Sequence, residues 1–252
     1  NVTTLFQGFF WTIKVSLNLL NSKTFKHKKG LTLVIGDTAT TLLGTFFSRI
    51  HGIKVLHIEA GLRSFNYFHP FPEELIRVMV SKMANYLIAP YAWALNNLKK
   101  EKAKKFNSQY NTILDTIRFS LKSKTKPIIP KTKYCLVTTH RFETIYNKER
   151  LLKVIKIVEM ASKKCPVLFV MHSPTKKRLI KYKLLEKITE NPKVSVAPIY
   201  HYFEWIKILN KAEFVLTDGG SIQEESYYLN KPCCLLRNAT ERIDGIGENV
   251  LL

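Results

Sequence analysis

Three acidic stretches stand where a carboxylate can do chemistry as well as meet solvent. Asp37 lies in Gly36-Asp37-Thr38-Ala39-Thr40-Thr41, directly after the apolar run 31–35. A Gly-Asp turn there sets a carboxylate at the end of a buried strand, with the following threonines able to cap the next helix, although Asp37 as an N-cap explains the same residue. Glu59 closes the next apolar run, in His57-Ile58-Glu59-Ala60-Gly61-Leu62-Arg63. A carboxylate at the end of a hydrophobic strand is costly to desolvate without a partner, so an ion pair with Arg63 or His57 is the structural alternative. Glu73 and Glu74 follow Pro72. A proline fixes a helix start, and acidic residues suit its positive end, so capping accounts for one of these two carboxylates.

The second half carries a different chemistry. The run 134–138 leads into Thr139-His140-Arg141-Phe142-Glu143. A His–Arg pair at a strand tip can hold a phosphate or a leaving group, whereas a lone His is more often structural. His172 stands at the end of 167–171 in the same way. In Thr217-Asp218-Gly219-Gly220-Ser221-Ile222-Gln223-Glu224-Glu225 a strand turns through Gly219, Gly220 and Ser221 into a helix. Backbone N–H groups and the helix dipole hold phosphate in that geometry. Glu225, a turn into the helix, could accept hydrogen bonds from a ribose diol; a plain tight turn with a cap is the alternative. Neither a Gly-x-Gly-x-x-Gly fingerprint nor a P-loop is present, so the motifs support no dinucleotide or P-loop site.

These residues must be held by the elements between them. Apolar runs at 31–35, 55–58, 86–89, 134–138, 167–171, 194–197, 214–217 and 233–236 read as buried strands. Helical patterns at 38–50, 73–84, 91–104, 111–121, 148–163, 175–189, 202–209 and 221–229 separate them. Such alternation predicts an α/β chain with parallel sheets and helices on both faces. The charged, proline-punctuated stretch 122–133 reads as a linker. The expected division is therefore a first Rossmann-like domain over 1–128 and a second over 129–252. Ligands of such folds bind beyond the carboxyl ends of the strands.

Composition sets outer bounds. With 252 residues, 46% hydrophobic and 23% charged, the chain is an ordinary globular sequence. Its 40 Lys and Arg against 19 Asp and Glu give a formal charge of +21, which attracts phosphate-bearing ligands and polyanions. The lysine clusters at 99–105 and 122–133 lack interleaved aromatics, which argues against single-stranded nucleic acid as the partner. A Lys-rich solvated surface is the plainer account. Cys135, Cys165, Cys233 and Cys234 form no CxxC pair, and Cys135 and the 233–234 pair, within apolar runs, read as reduced, buried thiols of a cytoplasmic protein. In 1–20, Val2, Leu5, Phe6, Phe9, Phe10, Ile13, Leu17 and Leu20 share one helical face, predicting an amphipathic core helix. No stretch reaches the ~18 apolar residues of a membrane span.

Taken in order, GDTATT, HIEAGLRS, PFPEELIR, THRFE, TDGGSIQEE, LNKPCCLLR and ATER resemble the non-hydrolysing UDP-N-acetylglucosamine 2-epimerases, from about Thr4 to Val250. The resemblance implies two Rossmann-like doubly wound domains of the glycosyltransferase-B type, with UDP held by the second. It implies inversion at C2 of the sugar to give UDP-N-acetylmannosamine, through UDP elimination and re-addition across a glycal. It also implies a homodimer and no metal or nicotinamide cofactor. By position, Asp37, Glu59 and Glu73 match the family's acidic catalytic residues and His140 its catalytic histidine. Gly219, Gly220 and Ser221 match the diphosphate-holding turn, and Glu225 the ribose ligand. Arg77 and Arg141 match basic cleft residues, with His172 and Arg242 as further ligands. The family's Asp-Ser-Gly-Gly is here Asp218-Gly219-Gly220-Ser221, and its Glu-Arg-Pro-Glu is Glu241-Arg242-Ile243-Asp244. Nothing corresponds to its opening strand and Gly-Thr-Arg-Pro-Glu turn, or to its closing helices. The first domain is therefore expected to be incomplete, with its sheet exposing an apolar face or edge. Alternatives carried from the sequence are a hydrolysing epimerase, a related glycosyltransferase, and a truncated, non-catalytic UDP-sugar or nucleic-acid binder.

Overall fold

The computed structural model describes residues 5–20, 29–68 and 70–252, with the side chains of 5–9 left out. The chain divides into two compact units, Asn1–Thr112 and Ile113–Leu252.

The first unit contains four parallel strands, β1 (Leu31–Ile35), β2 (Lys54–Ile58), β3 (Tyr86–Ala89) and β4 (Lys104–Asn107), in that spatial order. Side chains alternate between faces, so register decides which are covered. Val34 pairs with His57 and His57 with Leu87. Val34, Leu87, Val55 and Ala89 bury one face against α3 (Glu73–Met83) and α4 (Ala92–Asn97), through Ile76, Val80 and Ala94. The opposite face carries Leu31, Leu33 and Ile35, which are exposed, with Leu33 at 64%. Parallel sheets are normally buried on both faces, so this open side is the expected apolar exposure. The two edges differ in kind. Edge strand β4 carries Lys104 and Lys105, the charge that natural edges use against unwanted pairing. β1 has no such protection. Leu33→Lys is therefore expected to raise the concentration at which the chain self-associates, as read by sedimentation velocity.

Two expectations in this unit are corrected. The stretch 91–104 does not form one helix. α4 ends at Asn97, and the chain re-enters the sheet as β4, Lys104 pairing with Tyr86 and Phe106 with Ile88. A polar edge strand lacks the apolar run that marks a buried one. α1 (Leu5–Leu20) is helical as expected but is not a core helix over its described side chains, since Phe10, Ile13, Leu17 and Leu20 are exposed. It packs beside α2 (Ala39–Ile50), and the described side chains of its apolar stripe stay exposed. Val2 and the side chains of Leu5, Phe6 and Phe9 lie outside the described residues. The cap of α2 comes from the threonines after Asp37, as the sequence allowed, and not from Asp37 itself. Thr38 takes that place, its hydroxyl accepting from Thr41 N at 3.3 Å.

The second unit is a six-stranded parallel sheet, β5 (Cys135–Thr138), β6 (Val167–Val170), β7 (Val194–Ala197), β8 (Phe214–Thr217), β9 (Cys233–Leu235) and β10 (Val250–Leu251). The spatial order is β10-β9-β8-β5-β6-β7. Val137, Phe169 and Leu216 face α7 (Lys148–Lys164) and α8 (Ser173–Lys181). Leu136, Leu168 and Val215 face the other way, toward α10 (Tyr202–Lys211) and α11 (Gly220–Tyr228). Both faces are covered, the doubly wound arrangement that the alternation predicts. Full burial of each such apolar side chain contributes about 1.5–3 kcal/mol. The helix before the charged stretch, α5 (Ile113–Lys122), packs on α10, with Phe119 edge-on to Phe203 at 5.5 Å. Lys207 Nζ donates to the carbonyls of Ser123 and Thr125 at 2.5 and 2.7 Å, tying the start of that stretch to this unit. The expected helix at 175–189 is broken at Lys183, whose φ of 57° cannot continue a right-handed helix. α8 begins earlier, at Ser173, and a short α9 (Glu186–Thr189) follows the break. A four-residue helix, α6 (Phe142–Ile145), opens directly after His140-Arg141.

Candidate active site

Strand order fixes where the second unit can take a ligand. From β5 the chain moves outward to β6 and β7, then returns to the other side of β5 as β8. The crevice at such a reversal, beyond the carboxyl ends of the strands, is the ligand site of open α/β sheets. His140 leaves β5 and Gly219 leaves β8 on either side of that point.

Asp218 ties the two together. It is fully buried and accepts from Thr139 Oγ1 at 2.5 Å, His140 N at 3.0 Å and Arg141 N at 3.0 Å. The backbone that carries His140 and Arg141 thus hangs on one carboxylate from the neighbouring strand. The His140 ring stacks on His172 with centroids 4.6 Å apart, and its Nδ1 lies 3.6 Å from Asp218 Oδ1. Burial lowers the pKa of His140; Arg141 and Arg237 act in the same direction, while Asp218 and Glu143 oppose. His172 falls to about 4, through burial and then through His140. Both imidazoles are neutral at pH 7 and can donate or accept a hydrogen bond.

Gly219 and Gly220 stand in tight surroundings. A Cβ on Gly219 would stand 3.0 Å from His140 Cε1, and one on Gly220 would stand 3.0 Å from Arg242 Nε and 3.1 Å from Glu241 Oε1. α11 starts at this turn, with Gly219 as its N-cap and Ser221 exposed in its first turn. The first N–H groups of a helix have no intrahelical acceptor and attract an anion. Cations gather beside them. Glu241, 2% exposed, pairs with Arg237 at 3.1 Å, Arg141 at 3.6 Å and Arg242 at 3.8 Å, and Arg242 also bonds Glu224. Farther along α11, Glu225 is buried and accepts from Trp205 Nε1 at 2.7 Å. Burial raises its pKa to about 7 against the pull of Trp205, Tyr202 and Arg242.

In the first unit the acidic residues also meet at strand ends. Arg77, on α3 and 4% exposed, bonds Asp37 across the sheet end and Glu74 Oε2 at 3.1 Å. Glu59 follows β2 with a φ of 63°, and its Oε2 lies 4.0 Å from where a Cβ on Gly36 would be. A non-glycine residue in this left-handed region costs roughly 1–3 kcal/mol and persists where surroundings hold it. Arg63, weighed as a partner of Glu59, is tied to Glu74 at 2.5 Å, and His57 Nε2 bonds the Gly36 carbonyl at 2.9 Å. Glu74 rather than Glu73 is the structural carboxylate: it is fully buried and also accepts from Ser64 N at 3.1 Å. Burial alone would raise its pKa, but the Arg63 and Ser64 hydrogen bonds and the Arg77 charge outweigh that and hold it low. Glu73 begins α3, one turn before Arg77. Asp37, Glu59, Glu73 and Arg77 are thus neighbours in the first unit; His140, Arg141, His172, Gly219, Gly220, Ser221, Glu225 and Arg242 belong to the second.

Sequence reasoning missed the residues that hold the others. Asp218, Arg237, Glu241 and Glu74 sit inside quoted motifs, but which partner each takes, near as Arg237 and Glu241 or far as Thr139 and Asp218, is set by the fold. The available signal was a buried charge beside an apolar strand, which always needs a partner. Among the described residues, no group of three or more His, Cys, Asp or Glu could hold a metal ion, and no helix is long and apolar enough to cross a membrane.

Known proteins resemble this chain in sequence and in fold. The family model for UDP-N-acetylglucosamine 2-epimerase matches residues 17–252. The UDP-N-acetylglucosamine 2-epimerase of Methanocaldococcus jannaschii is 36% identical over 90% of this chain and 66% of its own length. The UDP-2,3-diacetamido-2,3-dideoxy-D-glucuronate 2-epimerase of Pseudomonas aeruginosa is 32% identical over 90% of this chain and 64% of its own. The crystal structure of the M. jannaschii UDP-GlcNAc 2-epimerase, in complex with UDP-GlcNAc and UDP, matches with a TM-score of 0.83 and 34% identity, covering 100% of this chain and 71% of that one. The chain spans about two thirds of the length of these curated relatives. On the family match over nearly its whole length, this chain belongs to the UDP-N-acetylglucosamine 2-epimerase family.

Proposed function

We propose that the protein is a non-hydrolysing epimerase that inverts C2 of UDP-N-acetylglucosamine to give UDP-N-acetylmannosamine. The observation that carries this reading is the second unit's switch point, where two neutral histidines and three arginines surround a glycine turn at a helix start. That set fits a diphosphate better than any other ligand the chain's chemistry suggests. A carboxylate among Asp37, Glu59 and Glu73 takes the C2 proton. The C1–O bond then breaks, its electron pair leaving on the β-phosphate oxygen of UDP, and a C1=C2 glycal remains. Arg141, Arg242 and the first N–H groups of α11 stabilise the departing charge, and neutral His140 donates a hydrogen bond to it. Return of UDP to C1 with protonation of C2 from the opposite face gives the epimer. The carboxylates of the first unit share the base and acid roles.

Incubation with UDP-N-acetylglucosamine in heavy water tests this. Deuterium at C2, with UDP-N-acetylmannosamine seen by NMR, is the expected result; a C2 that keeps its proton in a folded protein rejects it. Free UDP rising in step with free N-acetylmannosamine would select the hydrolysing alternative. The Pseudomonas relative favours a second substrate reading, a UDP-diacetamido-glucuronate, which the same assay distinguishes when both sugars are supplied. The four unpaired cysteines support a reducing, cytoplasmic setting. A homodimer is the assembly that the family resemblance implies, and sedimentation velocity reads it directly.

A further inference from the structure

We propose that Arg237 is a further ligand of the nucleotide's diphosphate, an assignment that rests on the nucleotide reading of the second unit. Arg237 lies just beyond β9, the strand beside β8, so it emerges at the same carboxyl end as the Gly219-Gly220 turn. Its side chain is 5% exposed. Nη2 donates to Glu241 Oε2 at 3.1 Å, while Nη1 is buried without a hydrogen-bond partner. Glu241 Oε1 in turn lies 3.1 Å from where a Cβ on Gly220 would stand, so a single carboxylate separates the Arg237 guanidinium from the helix start.

A guanidinium stays charged in a protein, and its planar fork suits two oxygens of one phosphate. Burying it with one nitrogen unpaired forfeits solvation that the protein itself does not return. Burial lowers its pKa and Arg141 repels it, with Glu241 and Glu143 opposing both. A phosphate oxygen at Nη1 relieves the unpaired nitrogen and the repulsion between arginines together. A purely structural Arg237, a strut for Glu241, would account for Nη2 and leave Nη1 without a purpose.

Calorimetric titration of the 252-residue chain with UDP, UMP and uridine separates these accounts. Arg237→Gln is expected to weaken UDP about 10- to 100-fold, the loss of one charged hydrogen-bonding group, and to leave uridine nearly unchanged. Arg237→Lys, which keeps the charge on Glu241, is expected to fall between Gln and wild type and carries the test if the Gln variant does not fold. UDP affinity unchanged in the variants, or UDP and uridine falling by one factor, overturns the assignment. A folded wild-type chain that ignores UDP overturns the nucleotide reading instead, before any variant is made.

Discussion

Asp218→Ala is expected to abolish UDP binding and to destabilise the chain by about 3 kcal/mol or more. The carboxylate is fully buried, and three donors converge on it: the Thr139 hydroxyl and the N–H groups of His140 and Arg141. Hydrogen bonds to a charged group contribute about 1.5–3 kcal/mol each, and a buried donor left without an acceptor costs a further penalty. Without Asp218 the segment after β5 loses its anchor to β8, so His140 and Arg141 leave the glycine turn. Asp218→Asn keeps the shape but turns an NH2 group toward at least one donor, so its effect is expected to be intermediate. Urea unfolding together with UDP titration reads both quantities. An alanine variant with wild-type stability and UDP affinity would mean that the strand ends hold the histidine without this carboxylate.

What the sequence disclosed depended on how local each signal was. Strands such as Leu31–Ile35 and Cys135–Thr138 carry apolar residues in succession, at 33–35 and 135–137, and the elements between them have helical periodicity. Alternation alone therefore gave two parallel α/β units. β4 escaped because Lys104 and Lys105 carry an edge's protection and not a core's composition. The helix break at Lys183 escaped because no glycine marks its positive φ. The open sheet face was anticipated, but α1 was assigned to a core that its described residues do not enter. In the candidate site, the tips of strands drew attention to His140, His172 and Gly219. The residues that bind those tips together could not be read this way. Asp218 meets partners 77 to 79 positions away, and Arg77 reaches Asp37 across 40. The register of β5 against β8 brings the first pairs together and the placing of α3 at the sheet end the second, and neither is written in a local motif.

The same long-range burial predicts two opposing responses to acid inside the second unit. His172 has a folded pKa of about 4, against an ordinary 6.5, because it is buried on His140; Asp218 opposes the shift. A lowered folded pKa gives stability that is present above 6.5 and is lost as pH falls toward 4, and His140 acts in the same direction. Glu225 moves the other way, from 4.5 to about 7, through burial that outweighs Trp205, Tyr202 and Arg242. Its raised pKa gives stability that is complete below 4.5 and is lost as pH rises through 7. Each excursion is worth about 3 kcal/mol at most, with less for the only partly buried histidine because solvent screens it. Between pH 7 and 5 the two largely cancel in the native chain. Single substitutions should uncover each one. Glu225→Gln is expected to lose stability relative to wild type as the solution is acidified, and His172→Asn to gain it. Urea melts of the three proteins at pH 7, 6 and 5 measure the divergence. If both variants run parallel to wild type across that range, neither group changes its proton affinity on folding. Glu225 would then enter any nucleotide complex as an ordinary carboxylate, already ionised, and not as a group that gives up a proton to do so.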